Sequence, residues 1–330
     1  MLLQIREGLD VVERDLDAIV DALERLTREH ADTPMIGRTW HVHALPITFG
    51  LKTATWLDEI RRHRERLDDL RERLFSLQFF GAVGSLASLG EDGLAVQAAL
   101  ADELDLSVPD TAWFAARDRI GELVATLAMI ASSLGKIAEQ VLFANRPEVA
   151  ELREPIPAGN IGSSTMPHKR NPFRTEEALM LSRLVRSHAG TAFELMGGDD
   201  ERDGSTWFAE FAVVPEAFLY TSRILESVHE VLADLVVDPD AMRANLDVHG
   251  GLVTSEAVMM ALAETVGRQK AHDIVHEAAG EAIDGQRSFA ACLCDDERVE
   301  SALGADRIER LTDPTTYTGL SERLARRTVE

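Results

Sequence analysis

The sequence predicts an all-α protein, a bundle of long helices with a small helical C-terminal domain. Three observations carry this. Apolar residues recur at three- and four-residue steps through most of the chain, the stripe of an amphipathic helix. No stretch alternates apolar and polar residues as a half-buried strand would. Several periodic stretches are also at least twice the usual globular helix of about 11 residues, and long apolar stripes need long partners to cover them.

In chain order, Leu9, Val12, Leu16, Ile19, Leu23 and Leu26 define a first helix over about residues 2 to 30. The same spacing predicts helices over 46 to 78, 112 to 146, 173 to 196, 208 to 236, 253 to 265 and 269 to 284. Residues 31 to 45 (ADTPMIGRTWHVHAL), 153 to 165 (REPIPAGNIGSST) and 197 to 206 (GGDDERDGST) are polar, Gly- and Pro-rich breaks. At Val237-Asp238-Pro239 a proline ends a long helix and shorter ones begin. The expected division is a central long-helix bundle with catalytic loops over 1 to 236 and a small helical C-terminal domain over 237 to 330. There is no internal repeat.

A chain of 330 residues can bury a large core, and 45% of its residues are hydrophobic. Its formal net charge is -23, and Lys52, Lys136, Lys169 and Lys270 are its only lysines. Such a field repels nucleic acid and anionic membrane, which excludes both as partners. An acidic, lysine-poor composition suits a halophilic, high-salt cytoplasm, where salt screens self-repulsion. No apolar run approaches the roughly 20 residues that span a bilayer. The opening residues place acids where a signal peptide needs basic residues, so a cytoplasmic protein is expected.

Cys292 and Cys294 are too close for an ordinary structural disulfide and have no second thiol cluster, so they read as reduced core thiols. His272 and His276 share one helix face as in zinc-protease helices, but Asp273 stands where the general-base glutamate would be. Asp295, Asp296 and Glu297 read as solvated surface.

Chemistry concentrates in three strings. Gly162 to Pro172 reads GSSTMPHKRNP: three hydroxyls, a lysine, an arginine, a histidine and an asparagine between helix breakers. A serine such as Ser163 or Ser164 becomes a base only if a cation such as Lys169 and backbone N–H groups stabilise its alkoxide. Lys169 and Asn171 can also hold a carboxylate. The plain alternative is a serine-rich turn capping the helix that starts near Pro172. The second string is GRTWHVHALPITFGLK, residues 37 to 52, where His41 and His43 are either helix-start polar groups or functional imidazoles. A metal site there lacks a nearby third ligand. The third is DDERDGSTWFAEF, residues 199 to 211, in which Arg202 is either a carboxylate partner or a solvated charge.

The first string is similar, nearly letter for letter, to the signature GSSxMPxKxNP of the fumarase/aspartase superfamily. The second resembles that superfamily's block GRTHxQxAxP, and particularly its 3-carboxy-cis,cis-muconate cycloisomerase version, GRTWLQHAxPxTFGLK, matched by Trp40 and His43. His41 in place of leucine and Val42 in place of glutamine depart from it, and the loss of the glutamine removes an expected substrate hydrogen bond. The third looks like the cycloisomerase ERGxGxWxAEW. Adenylosuccinate lyases end this block on an arginine for the nucleotide phosphate, which Phe211 cannot replace. RHRERL at 61 to 66, LQFFGAVGSLASLG at 77 to 90, MRANLDVHGGLVTSEAV at 242 to 258 and DPTTYTGL at 313 to 320 extend the likeness over almost the whole chain.

The resemblance implies a homotetramer with a central bundle of paired long helices and active sites each built by three subunits. The implied reaction is cycloisomerisation of 3-carboxy-cis,cis-muconate, a small polycarboxylate, to a carboxymuconolactone by acid/base catalysis with no cofactor or metal. His43 and Ser163 are the implied catalytic pair, with the proton left to either. Arg38, Thr39, Trp40, Ser164, Lys169, Asn171 and Arg202 are the implied substrate-binding residues. Family members begin well before the first helix of this sequence, with a Ser/Thr- and Asp/Asn-containing block that it lacks. A truncated product, or a block supplied by another chain, is the expectation. Two rival readings stand beside the cycloisomerase: elimination of fumarate as in adenylosuccinate lyase, and a non-catalytic helical assembly protein.

Overall fold

Leu9, Val12, Leu16, Ile19, Leu23 and Leu26 lie on one face of α1 (Leu2–Glu29), and none is more than 1% exposed. Stripes of this kind build a computed structural model that describes residues 1–156, 165–166 and 168–330. After α1 come β1 (Pro34–Thr39), β2 (Val42–Thr48), α2 (Phe49–Leu74), α3 (Gly93–Leu104), α4 (Asp118–Ala144), β3 (Leu152–Arg153), α5 (Phe173–Glu194), α6 (Gly204–Ala233) and β4 (Val236–Val237). The C-terminal helices are α7 (Pro239–Asp247), α8 (Ser255–Val266), α9 (Arg268–Gly285), α10 (Phe289–Asp295), α11 (Glu297–Leu303), α12 (Ala305–Thr312) and α13 (Ser321–Val329). The predicted all-α class holds, and each long periodic stretch is a helix. Where a break was expected over residues 31 to 45, β1 and β2 pair as an antiparallel hairpin, and the next helix starts only at Phe49.

The chain forms two compact units. The first comprises Met1–Ala22, Asp58–Leu142 and Glu154–Leu235. Its buried apolar residues include Leu9, Val12, Leu16 and Ile19 of α1, Ile60, Leu67 and Leu70 of α2, a row from Leu123 to Ile137 on α4, and apolar faces of α5 and α6, which pack on one another. Gly135 lets α4 approach α5, since a Cβ there would lie 2.5 Å from Ser182 Oγ. Inside this core Arg117 and Glu210, 4% and 1% exposed, form a two-pronged ion pair. The amides that open α5 are met by a carboxylate: Glu154 accepts from Arg174 N and Thr175 N, both at 3.0 Å.

The second unit comprises Leu23–Leu57, Phe143–Arg153 and Val236–Glu330. Its largest apolar cluster gathers Val258 and Leu262 of α8, Ile274 of α9, Phe289 and Leu293 of α10, Val299 of α11 and Ile308 of α12. Cys292 is buried within it, and Cys294 packs at its edge. β3 pairs with β4 through Leu152↔Val237 and Arg153↔Val236.

One expectation is corrected. α4, 27 residues long, is long and apolar enough to cross a membrane by length and composition, although 72% of its most apolar window is buried inside the protein. The run looked interrupted because Lys136 and Glu139 punctuate it near one end.

His63 of α2 is buried among polar partners. Arg66 Nη1 donates to its Nδ1 at 3.2 Å, which leaves Nε2 to donate to Ser133 Oγ at 2.8 Å. Ser133 passes its own proton to Glu59 at 2.7 Å, and Lys136 pairs with the same carboxylate. Burial first, and then Arg66, push the imidazole down to about 4. The unfolded chain, titrating near 6.5, therefore takes up this proton first as pH falls. The prediction is a loss of stability between pH 6.5 and 4, up to about 3 kcal/mol. Urea midpoints at pH 7 and pH 4.5 check it: His63→Gln should flatten the drop, and an equally steep drop in the variant would refute it.

Candidate active site

The second string of the sequence builds a hairpin whose geometry its residues dictate. Pairing runs Pro34↔Thr48, Met35↔Ile47 and Ile36↔Pro46, then shifts to Arg38↔His43 and Thr39↔Val42. Ala44 and Leu45 thus stand opposite the single residue Gly37, which is a β-bulge. A side chain could not replace that glycine freely, because a Cβ would lie 2.8 Å from the Leu45 carbonyl oxygen. The bulge makes Arg38 and His43 direct cross-strand partners, and such pairs share one face of the ladder.

The turn itself is two residues, Trp40 and His41, with φ of 53° and 64°. Consecutive left-handed residues are what a tight two-residue hairpin demands, and Asn or Gly usually supplies them. Here a tryptophan is held in that region and displayed 94% exposed at the tip.

Arg38 is 14% exposed, and its fork is engaged: Nη1 and Nη2 donate to Glu151 at 2.9 and 2.7 Å. The expectation that Arg38 offers its guanidinium to a substrate carboxylate meets a carboxylate already in place. Glu151, 1% exposed, also accepts from Asn245 Nδ2 at 2.8 Å, and its own carbonyl accepts from Asp238 N at 3.0 Å. The rings of His43 and His249 meet edge to face with centroids 5.2 Å apart. His43 Nδ1 is buried with no hydrogen-bond partner among the described residues. Burial, then Arg38, then His249 hold the His43 imidazole below its ordinary range, against the opposing pull of Glu151. Lys52, in the first turn of α2, is lowered in the same way by burial and then Arg38, and its Nζ lies 5.9 Å from the centre of the Trp56 ring.

Arg38, Thr39, Trp40 and His43 are therefore brought together in the second unit. Lys169, Asn171 and Arg202 belong to the first. Lys169 is exposed, and its amide closes a turn on Met166 O at 3.0 Å. Arg202 stacks its guanidinium 3.9 Å from the centre of the Phe114 ring and donates to Gly81 O at 3.2 Å. The next residue, Asp203, caps α6 by accepting from Ser205 N at 2.7 Å. Phe211 packs with Trp207 and Phe208, the first at 5.6 Å between ring centres. Ser163 and Ser164 lie outside the described residues.

Sequence reasoning missed Glu151, Asn245, His249 and Lys52. Only His249 carried a local signal, since it precedes Gly250 and Gly251, whose φ of 57° and 89° make a sharp turn.

The helical scaffold with its bulged hairpin and cation-bearing loops is identified by comparison with known proteins. The family described as Lyase matches residues 1–186, and the family described as Adenylosuccinate lyase C-terminus matches residues 251–328. The 3-carboxy-cis,cis-muconate cycloisomerase of Pseudomonas aeruginosa is 41% identical over 97% of this chain and 70% of its own length. The N-acetyl-S-(2-succino)cysteine lyase of Dickeya dadantii is 38% identical over 96% of this chain and 70% of its own length. The crystal structure of the 3-carboxy-cis,cis-muconate lactonizing enzyme from Pseudomonas putida superposes with a TM-score of 0.94 at 39% identity, covering 99% of this chain and 73% of that one. The chain belongs to the fumarase/aspartase lyase family.

The turn supplies a prediction. His41→Gly removes a side chain from the left-handed region without touching the Arg38–Glu151 pair, so it should stabilise the protein by roughly 0.5–1 kcal/mol. Chemical denaturation reads this, and a destabilised variant would mean that the His41 side chain contributes contacts outweighing the turn strain.

Proposed function

We propose that this chain is a cycloisomerase that closes 3-carboxy-cis,cis-muconate to a carboxymuconolactone by acid/base chemistry, without a cofactor. The observation that carries the reading is His43: set across from Arg38, edge-on to His249, half-buried, and with a ring nitrogen buried and unpaired among the described residues. A relative 41% identical bears that name. In the reaction a substrate carboxylate oxygen bonds to an alkene carbon, and the π electrons move to the neighbouring carbon, α to another carboxylate. His43 delivers a proton to that carbon, and Ser163 is its counterpart in the reverse direction. Lys169 and Arg202 hold the negative charge of the enolate-like intermediate, with Thr39, Trp40, Ser164 and Asn171 binding the rest of the substrate. Arg38 acts from behind His43, its fork occupied by Glu151.

A homotetramer with shared sites fits this reading. Met180, Leu184 and Phe193 on α5 and Phe208, Phe211 and Leu219 on α6 are large apolar side chains left exposed, which a partner copy would cover. The acidic composition fits a cytoplasmic protein of a high-salt cell. A second reading, elimination from a succinyl-bearing substrate, is favoured by the 38% identical N-acetyl-S-(2-succino)cysteine lyase and by Val42 at the position of the cycloisomerase glutamine.

Absorbance assays with 3-carboxy-cis,cis-muconate and with adenylosuccinate test the reading directly. Loss of the diene signal is expected, and His43→Ala should slow it on the order of 10²- to 10⁴-fold, with His41→Ala far milder. The reverse ranking would move the acid/base role to His41. Turnover of the succinyl compound alone would favour elimination, and inert protein with both would leave the non-catalytic assembly reading. Light scattering at high salt should return a tetramer that weakens at low salt, where unscreened acidic charge repels between copies. A clean monomer at high salt would overturn the shared site.

A further inference from the structure

We propose that Glu151 is a positioning residue of this site: by clamping Arg38 on the strand opposite His43, it fixes the face that His43 presents and restrains the positive charge beside it. The proposal rests on the placement of His43 at the site, and goes beyond it to a carboxylate that touches no reacting atom.

The geometry carries the argument. Glu151 is held at both ends of the residue. Its side chain accepts from Arg38 Nη1 and Nη2 at 2.9 and 2.7 Å and from Asn245 Nδ2 at 2.8 Å. Its carbonyl accepts from Asp238 N, and the next residue, Leu152, is locked into the β3–β4 pair. Asn245 reaches back with a second bond to Val149 O at 2.9 Å, so the segment carrying Glu151 cannot swing without breaking several bonds. Arg38 is thereby tied to a rigid base, and Arg38 is the register partner of His43. A slip of one residue would turn His43 to the opposite face of the hairpin. The bulge at Gly37 fixes the register from one side and the Glu151 fork fixes it from the other.

The second consequence is electrostatic. The charged and titratable groups around His43 are Arg38 on β1, Glu151 before β3 and His249 after α7, while Lys52 on α2 shares Arg38 and Glu151 with it. Of the charged groups acting on His43, Arg38 therefore opposes its proton and Glu151 favours it. Without the carboxylate, Arg38 would act on the imidazole unopposed, and His43 would resist protonation further. An opposite charge within a few ångströms moves a titration by about 1 unit or more.

The test needs no substrate, so it can fail or succeed apart from the cycloisomerase reading. His43 is titrated by NMR in the 330-residue chain, with His43→Gln identifying its resonance. Glu151→Gln keeps the shape and an acceptor for Asn245 but removes the charge, and should lower the His43 midpoint by about 1 unit. Arg38→Gln should raise it by a similar amount. The double variant Arg38→Gln/Glu151→Gln should return it toward the wild-type midpoint. Opposite signs and mutual rescue are what a purely structural role would not produce. An unmoved midpoint in Glu151→Gln, or shifts of one sign in both single variants, would overturn the proposal. Should Glu151→Gln fail to fold, Arg38→Gln and the double variant still decide it, since a double variant no closer to wild type than Arg38→Gln sinks the electrostatic claim. Where the protein turns over substrate, the pH profile of kcat/KM should move with the NMR midpoint.

Discussion

A carboxylate that is 1% exposed must be paired, and the pairing of Glu151 organises the second unit around the candidate site. It takes both arms of Arg38, a residue 113 positions away in sequence, and the amide of Asn245, 94 positions away. Such a pair contributes little net stability compared with a well-packed apolar replacement, but loss of one partner alone costs about 3–5 kcal/mol, because a charge is left behind. Its effect is therefore on uniqueness more than on stability. A hairpin with a bulge and a two-residue turn has neighbouring registers, and only one of them gives Arg38 to Glu151.

The first unit uses the same device for a different end. Arg117 and Glu210 are buried together, with Trp113 under the guanidinium at 5.1 Å. Glu210 belongs to the TWFAEF run whose neighbours include the exposed Trp207, Phe208 and Phe211. One turn of α6 thus presents an aromatic surface and anchors itself with a buried acid. Arg202, just before that helix, leans on Phe114 and so holds its loop near Gly81 while its exposed edge stays available to an anion.

What the sequence made legible follows from range. The long helices were readable because each stripe is a local pattern repeated over many turns, and the six apolar residues of α1 are all buried as their spacing required. His43 was singled out because its string resembles the cycloisomerase block, while its residues alone left a plain polar reading open. The hairpin was not readable. PMIGRT is short, Gly37 interrupts its alternation, and Trp40-His41 lacks the Asn-Gly signature that announces a left-handed turn. Glu151 was invisible for a deeper reason: within RPEVAELRE it is one acid among several, and only contacts with Arg38 and Asn245 distinguish it. Long-range pairing leaves no periodic trace. The apolar length of α4 was misjudged because a few charges were weighed singly, whereas burial depends on the average along the helix.

The chain carries a net charge of -23, yet the strongest charge acting on His43 is a cation, Arg38, opposed by Glu151. In the free protein burial first, and then Arg38, hold the imidazole below its ordinary range. An arriving polycarboxylate reverses the balance, because its negative charge offsets the cations and favours the imidazolium. Binding and protonation are then linked, each strengthening the other by the same free energy. In the proposed reaction that linkage has a direction. Bound substrate favours loading of the proposed acid, which then gives its proton to the carbon that becomes more basic as the lactone closes. In the proposed reaction, burial and Arg38 disfavour the proton on His43, and a bound polyanion favours its return.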